Sequence, residues 1–343
     1  MNVRASISHL SGLDSVRGLA IILVVVFHYI YGAVAGSWLG FLIGPFGLAG
    51  VTLFFFLSGF LMERHLAYDN DLLRYFSRRF FRIMPAYLVC LAVALLVDKA
   101  THSDGNLTLR NVAANAFLVQ DLFGASLMVG VIWTLLIETK FYLLAPFVMR
   151  AGAVAVRLAP YAVIAANAAT FALRGEGSTV LTYLTFCFVG MQFGPWSRGE
   201  MHTGALALLV VISAAATCVF VSYFAVGLAV FVVLNVAIMT AALRWSPRLP
   251  VLPFIGKVSY SWYLYHAAIG YPIIGGLTAF LGGSAGAQVL GVLTATAATL
   301  FVGWLSFIVV EKPGIAAGRA LEQYLCPSQK QIPPANNSRP PTA

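Results

Sequence analysis

The sequence predicts an all-α integral membrane protein, a bundle of about ten transmembrane helices with both termini in the cytoplasm. The composition is the first indication, because 60% of the 343 residues are hydrophobic and only 10% are charged, whereas soluble domains average roughly 25% charged residues. The second is that apolar stretches recur from Leu13 almost to Val310. Each has about 20 residues, enough for a helix to cross a hydrocarbon core of about 30 Å.

Ten apolar stretches define the predicted spans in chain order. They cover residues 13–31, 41–62, 80–97, 129–149, 151–173, 179–193, 205–223, 225–243, 251–274 and 288–310. The seventh and eighth come from one uncharged block, which we divide near Ser222. Residues 1–320 are therefore expected to form one transmembrane domain, and the Pro-rich residues 321–343 a disordered cytoplasmic tail.

The distribution of basic residues indicates the orientation, because Lys and Arg gather in the cytoplasmic loops of membrane proteins. With the N-terminus inside, most of the 21 Lys and Arg residues lie in the tails, the inner loops or the inner ends of helices. Lys99, Arg110 and Arg174 are the outer exceptions, and Lys140 lies within the fourth span. The net charge of +9 follows from this bias, so we do not expect nucleic-acid binding.

The four cysteines indicate no disulfide framework, because Cys90, Cys187 and Cys218 lie in predicted spans and Cys326 lies in the tail. We expect no metal and no tightly bound cofactor. No short cleavable signal is recognisable before residue 13, so we expect the first span to remain as an anchor. The sequence favours no oligomeric state.

Ionisable residues inside a span usually face the protein interior or a water-filled cavity, because exposing them to lipid is costly. Arg17 and His28 in the first span are eleven residues apart, which places them on one helix face about 16 Å apart. Asp14 lies near the same face at the cytoplasmic end. His28 could act as a general base towards a hydroxyl, or it could simply bond to a neighbouring backbone. Arg17 could equally be a cytoplasmic anchor.

Two further spans bring ionisable groups to a depth comparable with that of His28. Glu138 lies in the fourth span and His266 in the ninth, with polar residues below it at Ser259, Tyr260, Ser261 and Tyr263. These residues predict a reacting layer, and the alternative is a polar site that only holds helices together. Lys140 is too deep to reach either surface easily, so it should need a partner.

A basic cluster begins the third span, where Arg78, Arg79 and Arg82 lie within about one helical turn. Arg79 and Arg82 lie on neighbouring parts of one face. The cluster could anchor the helix on anionic membrane lipid. Alternatively it could clamp a phosphate, since guanidinium groups bind phosphate in a bidentate manner.

The order of these motifs resembles acyltransferase family 3, the bacterial membrane O-acyltransferases that modify surface and secreted glycans. The resemblance extends over residues 13–313. It is carried by "LDSVRGLA" followed by His28, "FFFLSGFLM" with Ser58 and Gly59, "RRFFRIMP", "WTLLIETKFYLL" with Glu138 and Tyr142, "VSYSWYLYH" ending at His266, and "EKP" at residues 311–313. The sequence departs from the family pattern at Thr139 and Lys140, where a second acid and a glutamine are usual.

The resemblance implies transfer of an acyl group, usually acetyl, from cytoplasmic acyl-CoA to a hydroxyl of an exopolysaccharide, lipopolysaccharide or lipo-oligosaccharide precursor. It also implies a multi-pass protein of the bacterial inner membrane. The predicted catalytic residues of this sequence are His28, Glu138 and His266. The residues predicted to bind acyl-CoA are Arg17, Arg79 and Arg82. Supporting roles are predicted for Asp14, Ser58, Tyr142, Tyr260, Ser261 and Tyr263.

In this scheme the CoA phosphates meet the arginines, the pantetheine arm follows the first helix, and His28 activates the sugar hydroxyl. The outer segment 98–128 is long for a connection, so it could hold acceptor contacts or a short interfacial helix. Two other functions remain open. One is a transporter or flippase of a glycan or small solute, and the other is a membrane subunit that relays acyl groups to a partner.

Overall fold

The computed structural model describes residues 11–69, 71–100, 108–220, 225–245 and 251–325. Within these ranges the chain is helical and contains no strand. The helices, in chain order, are α1 (Ser11–Val34), α2 (Trp38–Ile43), α3 (Phe46–Tyr68), α4 (Leu72–Ala100), α5 (Leu109–Ala116), α6 (Trp133–Arg150), α7 (Ala153–Arg174), α8 (Thr179–Ser197), α9 (Thr203–Phe220), α10 (Ala225–Trp245), α11 (Leu252–Phe280), α12 (Ala285–Ser306) and α13 (Lys312–Leu325).

Eight helical stretches of the described chain are long and apolar enough to cross a membrane. Two predicted spans correspond to α8 and α11, which are helices but are not among these eight. Both are rich in hydroxyl, tyrosine, glycine and proline residues, which lower their mean hydropathy. The count of about ten spans and the cytoplasmic placement of the termini therefore stay predictions.

The structure differs from the predicted segments at two places. The second predicted span, 41–62, is interrupted at Gly44 and Pro45, because α2 ends at Ile43 and α3 begins at Phe46. The predicted disordered tail begins at residue 321, whereas α13 continues to Leu325, where Glu322 bonds to Arg78 on α4. The remainder of the tail, 326–343 with Cys326, and the predicted break near Ser222 lie outside the described residues.

Hydroxyl side chains begin several of the helices. The Oγ of Ser37 accepts a hydrogen bond from the backbone N–H of Gly40, and equivalent caps begin α5, α8 and α12 at Thr108, Ser178 and Ser284. Such caps satisfy backbone donors that have no partner within the helix. The cap at Ser37 lies in the short connection between Val34, where α1 ends, and Trp38, where α2 begins.

The two central helices, α3 and α8, are buried over most of their surface. They approach closely because both carry glycine at the contact: a Cβ on Gly59 would lie 1.9 Å from the Cys187 carbonyl oxygen, and one on Gly190 would lie 2.3 Å from that of Phe56. Small residues allow this approach of helix backbones inside membranes. The contact fixes the face of α3 that carries Ser58.

The helices α1 and α11 are joined in the same way near their N-terminal ends. A Cβ on Gly256 would lie 1.8 Å from the Asp14 carbonyl oxygen, and one on Gly18 would lie 2.3 Å from that of Leu252. Because neither position has room for a side chain, the two backbones are in contact. This contact places Arg17 of α1 beside the polar residues of α11.

The outer segment 98–128 contains a short helix, α5, within its described part, and residues 101–107 lie outside that part. Asn115 holds the segment together, because its Nδ2 donates to Ser126 O at 2.8 Å and its Oδ1 accepts from Met128 N at 3.1 Å. The hydroxyl of Tyr87 on α4 donates to Asn115 O at 2.7 Å. The segment is therefore folded onto the bundle.

Candidate active site

A cavity lies between α1, α3, α4, α6 and α11. Most of the residues predicted to act on a substrate line it. Its polar lining consists of Arg17, Ser58, Arg79, Arg82, Thr134, Glu138, Tyr142, Ser259, Tyr260 and Tyr263. The remaining lining is apolar and aromatic.

Three arginines give the cavity a positive charge. Arg17 pairs with Asp14, with 3.1 Å between Nη1 and Oδ1. Neither Arg79 nor Arg82 forms an ion pair with a described carboxylate, and the buried Nε of Arg79 has no hydrogen-bond partner among the described residues. The Arg79 guanidinium lies over the Tyr142 ring, 5.6 Å from its centroid. Unpaired guanidinium groups at the wall of a cavity are suited to binding an anion.

Arg78 is separated from Arg79 and Arg82, although the three are close in sequence. Its Nε donates to Glu322 Oε2 at 2.9 Å, and its Nη1 lies 3.2 Å from His65 Nε2. It does not line the cavity. Of the basic cluster at the start of the third span, Arg79 and Arg82 are thus available to a ligand, and Arg78 fastens α13 to α4.

Glu138 is held at the cavity wall by two hydroxyl groups. Ser58 Oγ and Tyr142 OH both donate to its Oε1. These donors come from α3 and from the next turn of α6, so the carboxylate is fixed between two helices. Within the described chain Glu138 forms no hydrogen bond to His28 or His266, and the structure therefore places it apart from the histidines.

His28 and His266 contact each other, with 2.9 Å between His28 Nδ1 and His266 Nε2. His266 is fully buried, and its Nδ1 lies 2.6 Å from the Tyr263 carbonyl oxygen. A carbonyl can only accept, so Nδ1 of His266 carries a proton, and in a neutral ring Nε2 then accepts. His28 Nδ1 must therefore donate to it. This assignment leaves Nε2 of a neutral His28 as an unprotonated acceptor.

Neighbouring side chains hold the histidine pair in place. The Tyr29 hydroxyl donates to the His266 carbonyl oxygen at 2.7 Å, and it lies 3.2 Å from Thr299 Oγ1. A Cβ on Gly270 would lie 2.0 Å from that hydroxyl, so glycine leaves the room that Tyr29 occupies. Sequence reasoning missed Tyr29, because nothing in its position beside His28 shows which helix its hydroxyl reaches.

Tyr263 lies between the cavity and the histidine pair. It lines the cavity, whereas neither histidine does. Its hydroxyl lies 2.6 Å from Thr134 Oγ1 and donates to Val131 O at 2.7 Å, while its ring centroid is 5.4 Å from that of His266. The predicted reacting layer is therefore divided, with Glu138 on the cavity side of Tyr263 and the two histidines on the other.

The other predicted supporting residues have structural contacts. Tyr260 lines the cavity, and its hydroxyl donates to Ile83 O at 2.8 Å. Ser261 points elsewhere, and its Oγ donates to Glu311 Oε2 at 2.8 Å. Glu311 belongs to the "EKP" motif, for which the sequence alone indicates no partner.

Lys140 pairs with Asp121 of the outer segment. The two side chains are 32% and 38% exposed, and Lys140 does not line the cavity. Asp121 is thus the partner that the depth of Lys140 requires. The pair joins the folded outer segment to α6, the helix that carries Glu138.

Together these features define a class of protein: a helical bundle with several helices apolar enough to cross a membrane, and with a cationic cavity beside a buried histidine pair. Within the described ranges no group of three His, Cys, Asp or Glu side chains could hold a metal ion. Comparison with known proteins identifies the family. The family described as "Acyltransferase domain" matches residues 10–310, so the chain belongs to acyltransferase family 3.

Several curated proteins are similar to this chain. The O-acetyltransferase OatA of Staphylococcus aureus is 23% identical over 322 residues, covering 78% of this chain and 51% of the relative. Peptidoglycan O-acetyltransferase OatA of Listeria monocytogenes is 29% identical over 42% of this chain and 24% of the relative. Nodulation protein 10 of Rhizobium leguminosarum is 32% identical over 36% and 40%. The chain therefore spans only part of the length of these relatives. No solved structure matches the chain.

Proposed function

We propose that this protein is an inner-membrane O-acyltransferase that moves an acyl group, acetyl in the simplest case, from cytoplasmic acyl-CoA to a glycan hydroxyl. Membership of the acyltransferase family supports the reaction class. Two relatives named as O-acetyltransferases, at low identity, support acetyl transfer and a glycan acceptor. The acceptor would be an exopolysaccharide, lipopolysaccharide or lipo-oligosaccharide precursor.

The observation that carries the proposal is the meeting of Arg17, Arg79 and Arg82 at one cavity beside the histidine pair. Acyl-CoA is a polyanion with a long neutral arm, so its phosphates suit guanidinium groups. Arg17 and His28 are separated by about 16 Å along α1, a distance that the pantetheine arm would cover.

The proposed reaction begins with Nε2 of His28, the acceptor left free by its hydrogen bond to His266. This nitrogen takes the proton of the acceptor hydroxyl while the hydroxyl oxygen attacks the thioester carbonyl. A carbon–oxygen bond forms, the carbon–sulfur bond breaks, and the CoA thiolate receives the proton from His28. His266 keeps the His28 ring oriented throughout, because the Nδ1 proton is not transferred.

Glu138 would position the reacting groups from the cavity side. Its carboxylate is already held by Ser58 and Tyr142, so its orientation does not depend on the ligand. A carboxylate fixed before binding contributes to catalysis by aligning groups at little entropic cost. Tyr263 separates Glu138 from the histidines, and we propose that the thioester reaches His28 by passing this side chain.

The test is His28→Ala, purified after correct membrane insertion has been verified, with labelled acetyl-CoA and a panel of glycan acceptors. The wild type should release CoA and label a glycan, and the variant should do neither above background. Retention of full transfer by the variant would reject His28 as the base. Accumulation of glycan across vesicles without CoA release would favour the transporter. CoA release only with an added protein partner would favour the relay subunit.

A further inference from the structure

Tyr263 of α11 lies between the two places that the proposed reaction must connect. Its side chain lines the cavity that carries the arginines, and its ring centroid is 5.4 Å from that of His266. His28, the proposed base, is half-buried and does not line this cavity. A thioester whose phosphates are held by the arginines therefore meets the Tyr263 ring before it reaches His28.

Two short hydrogen bonds hold the Tyr263 hydroxyl in place. Its oxygen is 2.7 Å from the Val131 carbonyl oxygen and 2.6 Å from Thr134 Oγ1. A carbonyl oxygen can only accept, so Tyr263 donates to Val131, and Thr134 must supply the proton of the second bond. The Tyr263 hydroxyl therefore has no proton left to give to a substrate. The arrangement fixes the ring and does not suit a proton donor in the reaction.

Both partners of this hydroxyl belong to the stretch of chain that joins the outer segment to α6. Val131 lies in a short 3₁₀ turn, Gly130–Ile132, and Thr134 lies in the first turn of α6. The Tyr263 ring also packs edge-on against Phe54 of α3, with 6.2 Å between the ring centroids. The hydroxyl is thus held by groups outside its own helix, so turning the side chain aside requires both hydrogen bonds to break.

We infer that Tyr263 is a gate that controls the access of the acyl donor to His28, and that its bonds to Val131 and Thr134 hold the gate closed. The inference rests on the proposed function. A closed gate keeps the thioester apart from the base and so limits its loss to water. In that hydrolysis a water oxygen bonds to the thioester carbonyl carbon and the carbon–sulfur bond breaks. His28 passes one water proton to the CoA thiolate, and the free carboxylic acid is released.

The experiment measures hydrolysis of labelled acetyl-CoA by the purified full chain without any acceptor, together with its affinity for CoA. Tyr263→Phe keeps the ring and removes both hydrogen bonds, so we expect hydrolysis to become about tenfold faster. Thr134→Val keeps the shape of its side chain and removes one bond, so the rate should rise by about threefold. This second variant serves if the first does not fold. The affinity for CoA should not change, because the arginines remain.

The direction of the change separates a gate from the alternatives, because loss of a proton donor or of packing would slow hydrolysis.

Tyr265→Phe is the matched control, since Tyr265 lies on the same helix, is 2% exposed and does not line the cavity. It should hydrolyse acetyl-CoA at the wild-type rate. Adding His28→Ala to Tyr263→Phe should remove the additional hydrolysis, because the gate leads to that base. An unchanged or slower rate in the gate variant that folds, an equal rise in Tyr265→Phe, or a rise that persists without His28 overturns the inference. Absence of both CoA binding and acetyl transfer in the wild type overturns the proposed function itself.

Discussion

Replacing His266 with leucine removes the nitrogen that accepts the His28 Nδ1 proton and leaves His28 in place. Leucine has no acceptor, so the His28 ring loses the contact that fixes its orientation. The imidazolium formed when His28 takes the hydroxyl proton also loses its partner. Because His266 is fully buried, bulk water does not readily supply a replacement.

The size of the effect follows from this single hydrogen bond. A hydrogen bond to a charged group contributes about 1.5–3 kcal/mol, and each 1.36 kcal/mol or so of barrier changes a rate about tenfold. We therefore expect kcat to fall about 10- to 150-fold. The KM for acyl-CoA should stay near the wild-type value, because neither histidine lines the cavity that carries the arginines.

The assay measures initial rates of labelled acetyl transfer over a range of acetyl-CoA concentrations, with a glycan preparation that supports turnover by the wild type. His266→Gln offers a carbonyl oxygen and should recover part of the loss. The control is Tyr265→Phe, a neighbour that is 2% exposed and keeps its volume; it should leave kcat unchanged. Full kcat in His266→Leu, or a loss confined to KM, would refute the assignment of the histidine pair.

Two further predictions concern stability. Gly59→Ala would place a Cβ 1.9 Å from the Cys187 carbonyl oxygen. We therefore expect the free energy of unfolding to fall by about 1–3 kcal/mol, measured as a lower Tm. The control is Gly276→Ala, whose Cβ would meet no atom within 4 Å and which should keep the wild-type Tm. Lys140→Met should lower the free energy of unfolding by less than about 1 kcal/mol, because the ion pair of Lys140 with Asp121 is about one-third exposed. A double variant that exchanges the two charged residues should restore the Tm. Loss of transfer by Lys140→Met at an unchanged Tm would contradict a purely structural role.

Helical periodicity predicted much of what a single helix determines. It predicted that Arg17 and His28 share one face of α1, and the count of residues along the spans predicted that His266 lies at a similar depth to His28. In the structure the two histidines are in contact. Depth does not give the rotation of a helix about its axis or its position in the bundle. Those depend on contacts such as that of Gly59 with α8, which is why Glu138 was expected beside the histidines but lies with Ser58.

Other parts of the site depend on irregular backbone that a regular helical pattern does not describe. Glu311 points inward because of a π turn, and a repeat of 3.6 residues cannot locate such a turn. The partner of Lys140 lies in the folded outer segment, which has no periodic signal. The extension of α13 beyond residue 320 was missed because a polar helix lying against the bundle resembles a tail in composition.

The packing of α1 against α11 explains how the two ends of the proposed reaction could keep a fixed separation. α1 carries Arg17 and His28, and α11 carries His266. The contacts at Gly18 and Gly256 leave no room for a Cβ, so the two helix backbones pack directly against each other. The rise of α1 then sets a distance of about 16 Å between the phosphate end and the base. A donor of different arm length would present its thioester at the wrong depth, so selection for CoA thioesters would follow from the spacing along one helix.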